Sequence, residues 1–208
     1  MRIGFAIIVE KNFIDQIVAL EHEFHESANF YDFLGTKYNL PHTTLFQGEM
    51  RDEIDYQGIA NDIVRKYIEL STNLTLHFTR IKYVPKGWYF LLCQKSKELL
   101  TLHDFVLKKV EPYIILPEDR LKRDYNDLSK AQREAILNFN YRYAGEAYYP
   151  HITIGRSEDK NDLILHKMNT SVSALNLSPS VDRITVYSMG RNGTHQNTLY
   201  EVKLPRKK

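Results

Sequence analysis

The chain of 208 residues has one cysteine, Cys93, so no disulfide can close within it and no cysteine cluster can hold a metal. Such sparing use fits a reducing compartment. Preceded by Leu91 and Leu92, the thiol is expected to be buried and inert. Long apolar runs are lacking too. Nothing approaches the roughly 18–20 residues that cross a bilayer, and the apolar part of "MRIGFAIIVEKN" is too short for the core of a secretion signal. The expectation is a cytoplasmic protein with no membrane contact. Charge of one sign is also missing: 28 Lys and Arg against 26 Asp and Glu leave +2, which does not point to a duplex-DNA binder. Tryptophan occurs once, whereas tyrosine occurs 14 times, favouring surfaces where an apolar body needs a polar tip. No linker or low-complexity stretch divides the chain.

Apolar periodicity places the elements. "RIGFAIIVE" reads as a buried strand rich in β-branched residues. Residues 12–33 read as a helix, with Phe13, Ile17, Leu20 and Phe24 on one stripe and Asn12 as its N-cap. "HTTLFQGEM" is strand-like, 55–70 helical, and 74–84 and 87–93 two more strands. Ser96 opens an amphipathic helix carrying Leu99, Leu102, Phe105 and Val106 inward. Helical spacing recurs over 118–140 and weakly over 159–175, and "VDRITVYSM" with "NTLYEVKL" form a closing hairpin. Each of two histidine-bearing strands is followed by a helical stretch and then a strand pair. This loose echo predicts a duplicated, bilobal α+β fold.

Those two strands carry the chemistry. "PHTTLF" at 41–46 and "PHITIG" at 150–155 share the order proline, histidine, any residue, threonine, aliphatic. In a strand, residues i and i+2 share a face, so His42 sides with Thr44 and His151 with Thr153. Ile152 and Ile154 point the other way, into a core. Chance gives about one H-x-[S/T] in such a composition, and four are present. His25 and Ser27 fall in a predicted helix, where i and i+2 diverge. His77 with Thr79 reads as a half-exposed strand face. Two imidazole–hydroxyl pairs facing across a cleft suit phosphodiester chemistry without a metal. With a pKa near about 6.5, one imidazole can accept a proton while the other donates one. Threonine hydroxyls would orient the non-bridging oxygens.

The paired motifs resemble those of the two-histidine (2H) phosphoesterase superfamily, and within it the RNA 2′,3′-cyclic phosphodiesterase and 2′-5′ RNA ligase-like branch. "PHTTLFQGE" is similar to the first motif, "PHITIGR" to the second, and "GWYFLLCQKSKELLTLHDFVLKKV" to the strand and helix between them. The resemblance implies His42 and His151 as the catalytic pair, Thr44 and Thr153 as phosphate-binding hydroxyls, and no cofactor or metal. It also implies two antiparallel sheets facing across a central cleft, with helices outside. Two departures stand out: Thr43 replaces an apolar residue in the first motif, and the segment 111–146 is longer than the usual connection. The expected organisation is one bilobal domain, 1–208, with a helical insertion at 111–146, acting as a monomer.

Around this core, Arg156 is a candidate phosphate ligand at a strand end. Tyr148 and Tyr149, in a cluster with Tyr141 and Tyr143, are candidates to stack a nucleobase. Trp88 reads as strand core. His22, His103, His166 and His195 read as surface or cap residues, and the tail "KLPRKK" as a solvated terminus. The expected substrate is a nucleotide or RNA end carrying a 2′,3′-cyclic phosphate. Two alternatives stay open at this level: cleavage of 2′-5′ oligoadenylates or cyclic oligonucleotide signals, favoured by a lid at 111–146, and a non-catalytic module that binds a nucleotide or RNA end.

Overall fold

The computed structural model describes residues 1–70, 74–122 and 124–205. Its strands are β1 (Arg2–Val9), β2 (Thr43–Glu49), β3 (Phe78–Val84), β4 (Trp88–Cys93), β5 (His151–Arg156), β6 (Val181–Met189) and β7 (His195–Lys203). They form one seven-stranded sheet in the order β3-β4-β5-β2-β1-β6-β7, antiparallel at every pairing. The helices are α1 (Lys11–Phe24), α2 (Tyr56–Leu70), α3 (Lys97–Val110), α4 (Lys130–Phe139) and α5 (Asp162–Ser173). Among the described residues no helix is long and apolar enough to cross a membrane.

The α+β class is as expected, and the two anticipated sheets prove to be two halves of one. The three-stranded half β3-β4-β5 meets the four-stranded half β2-β1-β6-β7 through a single register pair, Thr43↔Ile152. Helices α2 and α3 pack on β2, β6 and β7, whereas α1 and α5 pack on the β3 and β5 half. Along α3, Leu99, Leu102 and Val106 are buried at helical spacing, each side chain contributing about 1.5–3 kcal/mol. Ser96 caps that helix by accepting the Leu99 N–H at 3.1 Å.

Two predicted helices are shorter than their apolar spacing suggests. Helix α1 starts after Glu10 rather than Asn12 and stops at Phe24. Beyond it the chain turns through Asn29 at φ 53°, a left-handed conformation that asparagine tolerates. The buried Glu21 carboxylate then anchors the following loop, accepting the Leu34 N–H at 3.2 Å and pairing with His25 Nδ1. The stretch 118–140 contains a short 3-10 turn at Glu118–Lys122 and then α4. A capping box, Ser129 with Gln132, sets where α4 begins. Residues 206–208 of the basic tail lie outside the described residues.

Candidate active site

Each histidine strand begins just after a proline, Pro41 or Pro150. Proline pushes the residue before it out of helical conformation, and here the carbonyl of that residue lies under the imidazole. His42 Nδ1 donates to the Leu40 carbonyl at 2.7 Å, and His151 Nδ1 donates to the Tyr149 carbonyl at 2.5 Å. A carbonyl oxygen only accepts, so both Nδ1 atoms carry hydrogen and the neutral rings keep their lone pair on Nε2.

The single junction pair brings the motifs together. Thr43 and Ile152 are both 1% exposed and face the interior. Carrying that register one residue either way sets His42 opposite Thr153 and Thr44 opposite His151, all on the other face. All four line one cavity of about 380 Å³. A β-bulge extends the same wall. Phe90 pairs with Thr153, but Tyr89 pairs with Gly155, so Ile154 is an extra residue. In unbroken alternation Arg156, five residues beyond His151, would point away from it; the bulge returns it to the cavity face, opposite Trp88.

The two imidazoles differ in their surroundings. His151 stacks on Phe90 (centroids 3.6 Å apart) and meets Tyr143 edge-on at 5.5 Å. His42 Nε2 lies 3.1 Å from the Tyr187 hydroxyl, which in turn is 3.0 Å from Gln47 Oε1. Tyr187 reaches that position by crossing β1 at Gly4, where a Cβ would sit 2.3 Å from its ring. His195 stacks behind Tyr187 at 4.9 Å. Burial pulls His42 down to about 4, with the charges of His195 and His151 pushing the same way and the Leu40 carbonyl opposing. Burial likewise lowers His151 to about 4 against the pull of the Tyr149 carbonyl. Both rings are therefore neutral at neutral pH, and an anion placed between them would favour charging.

Tyr125, Ile136, Asn140, Tyr141, Arg142 and Tyr143 bring the segment 111–146 to the cavity wall. Asn140 ends α4 in a left-handed cap at φ 51°, which redirects the chain toward the site. Tyr141 is buried, while Arg142 lies over the Tyr143 ring at 5.8 Å.

Of the residues singled out in sequence, His42, Thr44, His151, Thr153 and Arg156 line the cavity together. Arg156 sits at its far end, its guanidinium 5.2 Å from Trp88 and its Nε donating to the Lys86 carbonyl at 3.2 Å. Tyr148 is a correction. It is 1% exposed, stacks on His103 at 3.8 Å and donates its hydroxyl to the Thr44 carbonyl, leaving no face for a base. Tyr149 is half-buried beside Tyr143 and does not line the cavity. Trp88, read as core, is instead a half-buried cavity residue. His103 and His195 are fully buried rather than superficial. His103 donates to the Leu45 carbonyl at 2.7 Å and accepts the Gly145 N–H at 3.0 Å. His77 is exposed, bonded to Ser178, and apart from the cavity, as is Thr79. Cys93 is buried, its thiol pushed up to about 12. Sequence reasoning missed Tyr187 and Gln47. Gly4, inside an otherwise apolar strand, was the available signal, since a strand glycine marks close approach.

No family model and no curated protein matches the sequence. Solved structures do. The chain is similar to E. coli LigT in its apo form at 15% identity and TM-score 0.54, over 99% of this chain and 98% of that one. TT0787 of Thermus thermophilus matches at 14% identity and TM-score 0.49, over 98% of each chain. A structure described as a phosphoesterase matches at 16% identity and TM-score 0.45, over 99% of each. At such identities it is the fold that is shared. The chain has the fold of E. coli LigT, the architecture that its two histidine motifs led us to expect.

Proposed function

We propose that the chain is a phosphoesterase of the 2H type that hydrolyses the 2′,3′-cyclic phosphate of a nucleotide or RNA end. The observation that carries this reading is the junction at Thr43↔Ile152, around which His42, Thr44, His151 and Thr153 line one cavity. Two titrating imidazoles with Nε2 free of backbone bonding, each beside a hydroxyl, suit in-line attack on one phosphorus.

In this reading a neutral imidazole takes a proton from water as the water oxygen bonds to phosphorus. The phosphorus–oxygen bond to the ribose breaks, and the second imidazole, protonated, gives its proton to the departing ribose oxygen. The products are a phosphomonoester and a free hydroxyl, with one proton moved from one histidine to the other. Thr44 and Thr153 donate hydrogen bonds to the non-bridging oxygens. Burial strengthens these interactions by excluding water. The proton transfers supply what a Lewis acid would otherwise provide, so no cofactor is invoked. Arg142 and Arg156 place positive charge on the wall for the remaining phosphate oxygens or an adjoining group. We treat 1–208 as one bilobal unit whose segment 111–146 forms a lid-like wall.

The test is turnover, in chelator, of 2′,3′-cyclic nucleotides, RNA ending in a cyclic phosphate, 2′-5′ oligoadenylate and a cyclic dinucleotide. Wild type, His42→Ala and His151→Ala are run together. The expected result is opening of the cyclic phosphates by wild type and a loss of at least about 100-fold in each variant. Turnover of only the oligoadenylate or cyclic dinucleotide would replace the substrate and keep the mechanism. Binding without product in wild type would leave a nucleotide-binding module instead.

A further inference from the structure

The reaction cavity does not end at Arg156. A second recess of about 390 Å³, lined by Tyr31, Asp32, Arg156, Glu158, Arg191 and Asn192, shares Asp32, Arg156 and Asn192 with it. We propose that this outer recess is a binding subsite for the base of a second nucleotide, adjoining the one whose phosphate reacts. The inference rests on the reading of the main cavity as a phosphoesterase site and names its substrate more closely: an oligonucleotide end rather than a free mononucleotide.

Three observations support it. First, the recess is anchored to the reaction site. The Tyr31 N–H donates to the Arg156 carbonyl at 3.1 Å, and the neighbouring Phe30 packs edge-on against Tyr89 at 5.1 Å. Phe30 also fills the hollow over Gly155, where a Cβ would lie 2.6 Å from its ring. Second, Tyr31 is 47% exposed although this backbone tie fixes its origin, so its ring is available for stacking. The Arg156 guanidinium lies 5.8 Å from that ring and 5.2 Å from Trp88, making one aromatic and guanidinium surface from the cavity into the recess. Third, the recess is balanced in charge, with Asp32 and Glu158 against Arg156 and Arg191. Two carboxylates would repel a second phosphate. A neutral heteroaromatic base, by contrast, offers donors and acceptors on its edge and a face for stacking. The shared residues Asp32, Arg156 and Asn192 place that base next to the reacting nucleotide.

The experiment compares binding of adenosine 2′-monophosphate with that of an adenylyl-adenosine dinucleotide ending in the same 2′-phosphate. Calorimetry on the whole chain is run for wild type, Tyr31→Ala and Arg191→Ala, none of the altered side chains lining the reaction cavity. Stacking of a base on an aromatic ring gives about 5- to 100-fold in affinity. The expected result is that the dinucleotide binds wild type tighter by about that factor, and that Tyr31→Ala removes the advantage while leaving the mononucleotide unchanged. Tyr31→Phe should keep it. Equal affinity for the two ligands in wild type, or an advantage that survives in Tyr31→Ala, overturns the subsite and leaves the cavity reading intact. Failure of both ligands to bind overturns the cavity reading, and the subsite with it.

Discussion

The Nε2 atom of His42 lies 3.1 Å from the hydroxyl of Tyr187, a residue 145 positions further along the chain. Since Nδ1 is held by the Leu40 carbonyl, both nitrogens of this imidazole have partners before any substrate arrives. Among the described residues, no such hydroxyl meets the Nε2 of His151. The Tyr187 hydroxyl can donate to a neutral His42, or accept from a protonated one while donating to Gln47 Oε1. It thus serves both protonation states of one histidine and makes the two imidazoles unequal.

Tyr187 is therefore expected to be a positioning residue. Tyr187→Phe keeps the ring and its stack on His195 but removes the hydroxyl. A lost hydrogen bond of about 0.5–1.5 kcal/mol predicts a fall in kcat of roughly 2- to 10-fold. The decisive readout is the His42 side-chain titration by NMR, which should move in the variant while that of His151 stays. An unaltered His42 titration would refute the role.

Gly4 tests the same contact from beneath. An added Cβ would overlap the Tyr187 ring. Gly4→Ala should cost about 1–3 kcal/mol in stability through overpacking and depress turnover at least as far as Tyr187→Phe. Denaturant unfolding and steady-state kinetics on the same preparation check both. Wild-type turnover in this variant would show that Tyr187 need not stand where it does.

The proposed pairing of His42 and His151 as acid and base predicts a distinctive pH dependence. The proposed mechanism needs one imidazole neutral and one protonated, and burial brings both to about 4. The singly protonated pair becomes scarcer by about tenfold for each pH unit above that value. Accordingly kcat/KM, which reports the free enzyme, should fall as pH rises through the neutral range. A bound phosphate anion favours imidazolium, so kcat should hold to higher pH than kcat/KM. Profiles of both parameters across the acid and neutral range decide this. A kcat/KM that climbs toward alkaline pH contradicts it.

His103 should contribute to acid stability alongside His42 and His151. Burial lowers it to about 4 from an ordinary 6.5, chiefly through desolvation. The unfolded chain then binds the extra proton between those values, so the stability is fully present above about 6.5 and is lost as pH falls toward 4. The full effect is about 3 kcal/mol. His103→Ala should be less stable at neutral pH, since it orphans the Leu45 carbonyl and the Gly145 N–H. It should also lose part of its stability slope in the acid range. Equilibrium unfolding at a series of pH values measures both, and an unchanged slope would exclude His103 as a source.

Local alternation in two short strands was enough to anticipate the four central side chains, because strand periodicity decides which residues share a face. The α+β class followed from the same patterning. What stayed hidden depends on the third dimension. The bulge at Ile154 leaves no mark in composition, yet it alone turns Arg156 to the cavity. Tyr148 and Trp88 exchange the roles that their neighbours suggested, because tertiary packing closes one ring over His103 and opens the other to the cavity. Over 12–33 and 118–140, apolar spacing outruns the helices, since loop residues that pack inward mimic a helical stripe. The capping pair Ser129 and Gln132 was the readable start signal of α4 that spacing overrode.

The junction at Thr43↔Ile152 has a mechanical meaning as well as a chemical one. A seven-stranded sheet that narrows to one rung at its centre is laddered along each half and joined between them at one point. The spacing between His42 and His151 is thus set where the two halves are joined by one rung, with α2 and α3 packed on one half and α1 and α5 on the other. A substitution far out on β3 or β7 that changed the twist of its own half would act on that spacing through the single rung. Distant residues would thereby gain leverage over the cavity without lining it.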